Sequence, residues 1–179
     1  MLLGTRGLIP GRVNPIGVEG RRRFGHCESD TVEGKKGTGG IATHVERKSR
    51  LLVVARLDDK PASTFSEATI TAFTLIPKVW CRTFTVDNGK EFSAFKKMEE
   101  AMDMDVYFAY PYSPWQRGTN ENTNGLLRHY FPKGIDWRTV TEKMLAIVVE
   151  KLTNRPRKCL NYQTPNEVFL KHTSGAVGT

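Results

Sequence analysis

What most restricts the fold of this chain is the way its hydrophobic period changes along the sequence. From Phe24 to Val32 the chain has extended character and is followed by the turn-rich run EGKKGTGG. Ile41, Thr43 and Val45 then alternate with more polar neighbours, and Leu51 to Leu57 is apolar on both strand faces apart from Arg56. This pattern predicts three strands in a meander, the third inside the sheet because both of its faces are apolar. Pro61 to Ile76 switches to helical spacing, with Phe65, Thr69, Ala72, Phe73 and Ile76 on one face and Pro61 in the first turn. Its many threonines make packing against the sheet the source of its stability.

Beyond this helix, CRTFTVD reads as a strand with Phe84 and Val86 on one face and Thr85 and Asp87 on the other, closed by an Asn88-Gly89 turn. A helix from about Phe92 to Met102 and a short strand, DVYFA, follow. The loop YPYSPWQRG leads into a helix of roughly Thr119 to Tyr130. Another begins at Asp136 or Thr139 and runs inward through Val140, Met144, Ile147, Val148 and Leu152. The basic, proline-punctuated segment TNRPRKCLNYQTPNEVFL adds one last helical turn. The order strand, strand, strand, helix, strand, helix, strand, helix, helix predicts an α/β fold whose sheet mixes an antiparallel meander with parallel strands, flanked by helices. A lead-in arm over residues 1–23, rich in glycine and ending in Arg21 to Arg23, precedes a core of 24–170, and 171–179 reads as a disordered tail.

The net charge of +8 favours a polyanionic partner without identifying one. With 39% hydrophobic and 26% charged residues, and no run of about 18 apolar residues, the sequence predicts a non-membrane, cytoplasmic protein. Cys27, Cys81 and Cys159 are too widely spaced for a disulfide framework or a local zinc motif.

Three acidic residues on separate elements are candidates for chemistry. Asp87 ends a strand just before a tight turn, where a carboxylate serves either as a turn-opening acceptor or as a metal ligand. At the helical period Arg117, Glu121, Asn124 and Arg128 fall within about 60° of each other, while Thr119, Thr123, Leu126, Leu127 and Tyr130 occupy a broad opposite sector. One face packs and the other presents a carboxylate among amide and guanidinium groups. Asp30 shares a strand face with Glu28, and a carboxylate inside a sheet requires compensation, which a divalent cation would supply. Glu28 is a rival ligand. Three such carboxylates suit a pair of Mg²⁺ or Mn²⁺ ions acting on phosphodiesters, although spacing alone does not separate this from a calcium-binding or structural cluster. Trp115 and Gln116 in the preceding loop, together with Arg155, Arg157 and Lys158, are candidates for contact with nucleic acid.

The strings GHCESDTVEG, VDNGKEF, YFAYPYSPWQRGTNENTNGLLRHYFPKG and LTNRPRKCLNYQTPNEV resemble the catalytic half of bacterial transposases of the insertion-sequence thirty family. The resemblance implies a ribonuclease-H-like fold and a DDE triad of Asp30, Asp87 and Glu121, the last two with 33 residues between them, as the family spaces them. It further implies two divalent metal ions, hydrolysis at transposon ends, attack of the freed 3′-hydroxyl on target DNA, and a homo-oligomer when active on DNA. Asn124 and Arg128 would support the triad. Where the family has GHWEGD this chain has GHCESD, which puts Cys27 in place of a bulky tryptophan and Ser29 in place of glycine. A buried, uncompensated aromatic loss of this kind costs about 3 to 5 kcal/mol. The family's N-terminal helix-turn-helix region has no counterpart here, so the expectation is either an isolated catalytic domain or a truncated element. The alternative function is a non-catalytic DNA-binding or oligomerising remnant.

Overall fold

A computed structural model describes residues 21, 23–58, 62–110 and 113–175, without the side chains of 62, 63, 79, 114, 115 and 173–175. The strands are β1 (His26–Glu33), β2 (Gly40–Glu46), β3 (Leu52–Leu57), β4 (Thr83–Val86) and β5 (Asp105–Phe108). The helices are α1 (Ala62–Phe73), α2 (Phe95–Met102), α3 (Gly118–Leu127), α4 (Glu142–Thr153) and α5 (Pro165–Gly175). Five strands form one sheet in the order β3-β2-β1-β4-β5. β2 pairs antiparallel with both β1 and β3, while β1, β4 and β5 run parallel. The predicted mixed sheet, meander and flanking helices are all present. Most of the predicted lead-in arm and Pro61 lie outside the described residues.

The strand period of two sorts the sheet's side chains between two cores. Cys27, Ala42, Ala55, Leu57, Phe84, Val86, Val106 and Phe108 pack with Phe65 and Phe73 of α1 and Met98 and Met102 of α2. Val32, Ile41, Val45 and Leu52 pack on the other face with Leu127 of α3 and Leu145, Val148 and Leu152 of α4. Phe65, Thr69 and Phe73 fall at four-residue intervals and are all buried, as the α1 pattern predicts.

Three expectations are corrected. β3 is an edge strand, not an internal one. Its two faces are apolar because α1 covers one and α4 the other, and covered faces do not require a neighbour on both edges. In α4, Met144 and Ile147 are 46% and 43% exposed, and the inward stripe is Leu145, Val148 and Leu152. Its N-terminus lies at Thr141, whose side chain accepts from the Met144 N–H, whereas Asp136 caps the separate short turn Trp137–Thr139. Tyr130 likewise falls beyond the end of α3 and is 43% exposed.

The C-terminal segment forms a full helix rather than one turn, and it runs to Gly175, within the stretch read as a tail. Aromatic contacts anchor it: Phe169 lies 4.9 Å from Trp80 and His172 lies 3.8 Å from Phe24, ring centre to ring centre. These groups also bear on the Cys27 departure. The cavity lined by Cys27, Phe73, Trp80 and Phe169 amounts to about 10 Å³, about one water-sized sphere, so the site is essentially filled. Ser29 has its own partner, its hydroxyl lying 2.8 Å from Nδ1 of the buried His44.

Gly39, in the β1–β2 hairpin, has φ +82°, and an added Cβ would sit 2.2 Å from the Leu57 carbonyl oxygen. Gly39→Ala is expected to destabilise the fold by more than about 1 kcal/mol, read as a lower urea midpoint.

Candidate active site at the β1–β4 junction

In the parallel pair, Glu28 is aligned with Thr85, so continuing the register by two residues sets Asp87 beside Asp30. Both side chains are on the face covered by α3. The Arg117 guanidinium, at the N-cap of α3, spans them. Its Nη1 lies 3.3 Å from Asp30 Oδ1 and its Nη2 lies 3.2 Å from Asp87 Oδ2. Asn124 donates from Nδ2 to Asp30 Oδ2 at 3.2 Å, and the Thr31 N–H donates to Asp30 Oδ1. The Gly89 N–H donates to Asp87 Oδ1 at 2.8 Å, which is the turn-opening bond expected of an Asp-Asn-Gly sequence. Asp87 therefore combines the turn role with a place in the acidic pair.

Burial pushes the Asp30 carboxyl above its usual range, and the nearby Asp87 charge adds to the rise. Arg117 and the Thr31 N–H oppose it. Two half-buried carboxylates that already share one cation offer the hard oxygen donors a divalent ion takes, so Asp30 and Asp87 fit such an ion. Glu121 is on the same helix face as Arg117 and Asn124 but is exposed and makes no hydrogen bond or ion pair among the described residues. Among those residues no three acidic, histidine or cysteine side chains converge as a metal cluster.

Beneath the pair lies a fully buried support that the sequence did not reveal. Glu28, 1% exposed, has Oε1 3.2 Å from Arg47 Nε and accepts from the Asn120 N–H at 2.8 Å. An anion at the first turn of α3 is favoured by the unpaired amides there. Arg47 also donates to the Gln116 carbonyl and to Thr85 Oγ1. The Asn120 amide donates to the carbonyls of Glu28 and Thr43 and accepts from the Thr43 hydroxyl, tying α3 to β1 and β2. Glu28 thus shares the strand face of Asp30 but is committed to Arg47 and α3, so it is not a free rival ligand. Asn120 carried one signal in the sequence: it lies between the apolar and polar sectors of the helix, where a side chain can reach the sheet.

The other expected contact residues are dispersed. Gln116 is buried, and its Oε1 accepts from the Tyr110 N–H at 2.8 Å. Arg128 donates to the Glu33 carbonyl at 2.8 Å. Arg155 and Lys158 are exposed, whereas Arg157 is half-buried and donates to the Leu152 carbonyl. The Trp115 side chain and Tyr112 lie outside the described residues.

No family model matches the chain. It is 42% identical over 168 residues to the transposase for insertion sequence element IS4351 of Bacteroides fragilis, covering 92% of this chain and 51% of that protein. It is also 42% identical over 152 residues to transposase InsI for insertion sequence element IS30A of Escherichia coli, covering 85% and 39%. The chain thus spans about half the length of such curated relatives, or less. In fold it is similar to the catalytic core domain of BIV integrase, with a TM-score of 0.64, 18% identity, and coverage of 85% of this chain and 97% of that one. A chain of the simian T-cell lymphotropic virus intasome matches with the same TM-score and identity, covering 90% and 59%. The mixed five-stranded sheet flanked by helices is the ribonuclease-H-like fold of these integrases. The chain is a DDE/integrase-like transposase domain, related to the IS30-family insertion-sequence transposases and, in fold, to retroviral integrases.

Proposed function

We propose that this domain catalyses metal-dependent hydrolysis of DNA at transposon 3′ ends and the joining of the freed 3′-hydroxyl to target DNA. The observation that carries the reading is the Asp30–Asp87 pair, set side by side by the parallel register and sharing one cationic group. Mg²⁺ or Mn²⁺ held there, as two ions with Glu121 completing the second site, would polarise the attacking and leaving oxygens of an in-line displacement. Asn124 fixes the rotamer of Asp30, and the Gly89 amide does the same for Asp87, so the donor oxygens are oriented before substrate arrives. Arg117, once exchanged from the carboxylates, stands where it can meet a phosphate oxygen. Arg155 and Lys158 offer exposed charge for the DNA backbone, and Trp115 a surface on which an unpaired base stacks. The protein works in the cytoplasm, as a homo-oligomer on DNA.

Calorimetry with Mn²⁺ on the wild-type chain and on Asp87→Asn tests the reading, alongside nicking of supercoiled DNA in the same metal. Binding and nicking by the wild type, both lost in a folded variant, are the expected result. The exposed and uncommitted Glu121 favours a second reading, a remnant that keeps the fold without turnover. A folded wild-type chain that takes up no Mn²⁺ with or without duplex DNA would establish that alternative.

A further inference from the structure

A second cationic site lies on the flank of α3, away from the acidic pair. A cavity of about 280 Å³ is lined by Arg21, Arg50, Thr119, Asn122, Arg157 and Cys159. Arg50 comes from the β2–β3 hairpin and Arg157 from the loop after α4, so folding brings two distant guanidinium groups together. Arg50 Nη1 lies 2.5 Å from the Thr119 hydroxyl oxygen, to which it donates. Arg157 donates from Nη2 to the Leu152 carbonyl. The Nε–H of each is shielded from solvent and meets no acceptor, and neither residue pairs with a carboxylate among the described residues.

This arrangement costs stability. Burial draws both guanidinium groups below their usual range, and like charges add to the effect: Arg21 on Arg50, and Arg155 and Arg50 on Arg157. Cys159 opposes the shift at both groups, and Glu28 at Arg50, but no carboxylate among the described residues lies within ion-pair distance of either, and half-buried cations so placed are unfavourable unless an anion completes them. The lining supplies what a phosphodiester needs, namely planar guanidinium donors, the Asn122 amide, and the Thr119 hydroxyl at the first turn of the catalytic helix.

We infer that this cavity is a seat for one backbone phosphate of the DNA substrate, with Arg50 and Arg157 as its two principal donors. The inference deepens the proposed DNA chemistry and rests on that reading for the identity of the ligand. Because α3 carries both the seat and the Arg117–Glu121–Asn124 face, a phosphate held here fixes the strand relative to the acidic pair. Arg157 stands out in the sequence for its basic neighbourhood, whereas Arg50 does not, because its partner Thr119 lies on α3.

The test is fluorescence anisotropy with a short duplex over a series of salt concentrations, comparing the wild type with Arg50→Gln, Arg157→Gln and the double variant. Loss of one phosphate contact lowers the slope of log affinity against log salt by about 0.9, so with both guanidinium groups on the same phosphate the double variant is expected to lower it by about 0.9 and either single variant by less. Arg→Lys at either position should restore most of the slope, and Mn²⁺ binding at Asp30 and Asp87 should be unchanged. A folded double variant with the wild-type slope, or a wild type that binds no duplex at low salt, overturns the inference. Stabilisation by inorganic phosphate that disappears in the variants while duplex binding persists also overturns it, since the seat would then take a free anion. If the slope falls as expected but no metal-dependent nicking is found, the seat stands and the catalytic reading fails.

Discussion

Glu28→Ala is expected to lower stability by about 3 to 5 kcal/mol, because it leaves the buried Arg47 guanidinium without its counter-charge and removes the acceptor of the Asn120 N–H. Measured by urea denaturation, the midpoint should fall with little change in slope, since the native fold and its buried area are otherwise retained. The loss is a property of the pair. Replacing Arg47 by methionine together with Glu28→Ala should recover part of it, as removing both charges leaves no uncompensated ion in the core. Additive losses in the double variant would refute the pairing argument. Were Glu28 a metal ligand instead, its removal would weaken Mn²⁺ binding and leave stability in the metal-free state nearly intact.

Acid is expected to unfold the domain through His44. This imidazole is fully buried among Phe65, Phe73 and Phe84, with Ser29 Oγ at Nδ1 and Thr69 Oγ1 at Nε2, and burial lowers its pKa to about 3. In the unfolded chain the group titrates near its ordinary value of 6.5. Below that value the unfolded state binds a proton that the folded state refuses, so stability falls as pH falls. The loss is about 1.4 kcal/mol per unit between the two pKa values and levels off below about 3, for a total of roughly 5 kcal/mol. Asp30 acts in the opposite sense, because a carboxyl raised in the folded state favours folding at low pH, but its raised pKa confines that effect to the carboxylate range. Denaturation midpoints across this range should decline from about pH 6.5 downward. A stability flat to pH 4, or a His44 imidazole that titrates near 6.5 in the folded protein by NMR, would remove the argument.

Much of the site was legible before folding. The two-residue period placed Asp87 opposite Phe84 and Val86, and the helical period placed Arg117 and Asn124 on one face of α3. Both placements hold because periodicity is a local property of the backbone. The register that aligns β1 with β4 was not legible. It is set by which strands pair, and only that pairing makes Asp30 and Asp87 neighbours. The β3 strand illustrates the same boundary. Its sequence told correctly that both faces are covered, but edge or centre is a question of hydrogen-bond partners, which side-chain polarity does not encode.

Charged and polar groups divided in the same way. Arg117 was legible as a member of the polar face, yet nothing local indicated that it would span two carboxylates. Glu28 and Asp30 look alike in sequence, two acids on one strand face. They differ because one meets Arg47 and the first turn of α3 and the other meets Asn124 and Arg117.

The sequence by itself determined the succession of strands and helices, the inward faces of β4 and α1 and the three acidic candidates, because these follow from short-range periodicity and turn chemistry. The tertiary structure decided which acid is buried as support and which lies at the site, the closeness of Asp30 to Asp87, and the meeting of Arg50 with Arg157. Those outcomes depend on contacts between residues far apart in the chain, where burial and opposing charge, rather than local preference, fix the result.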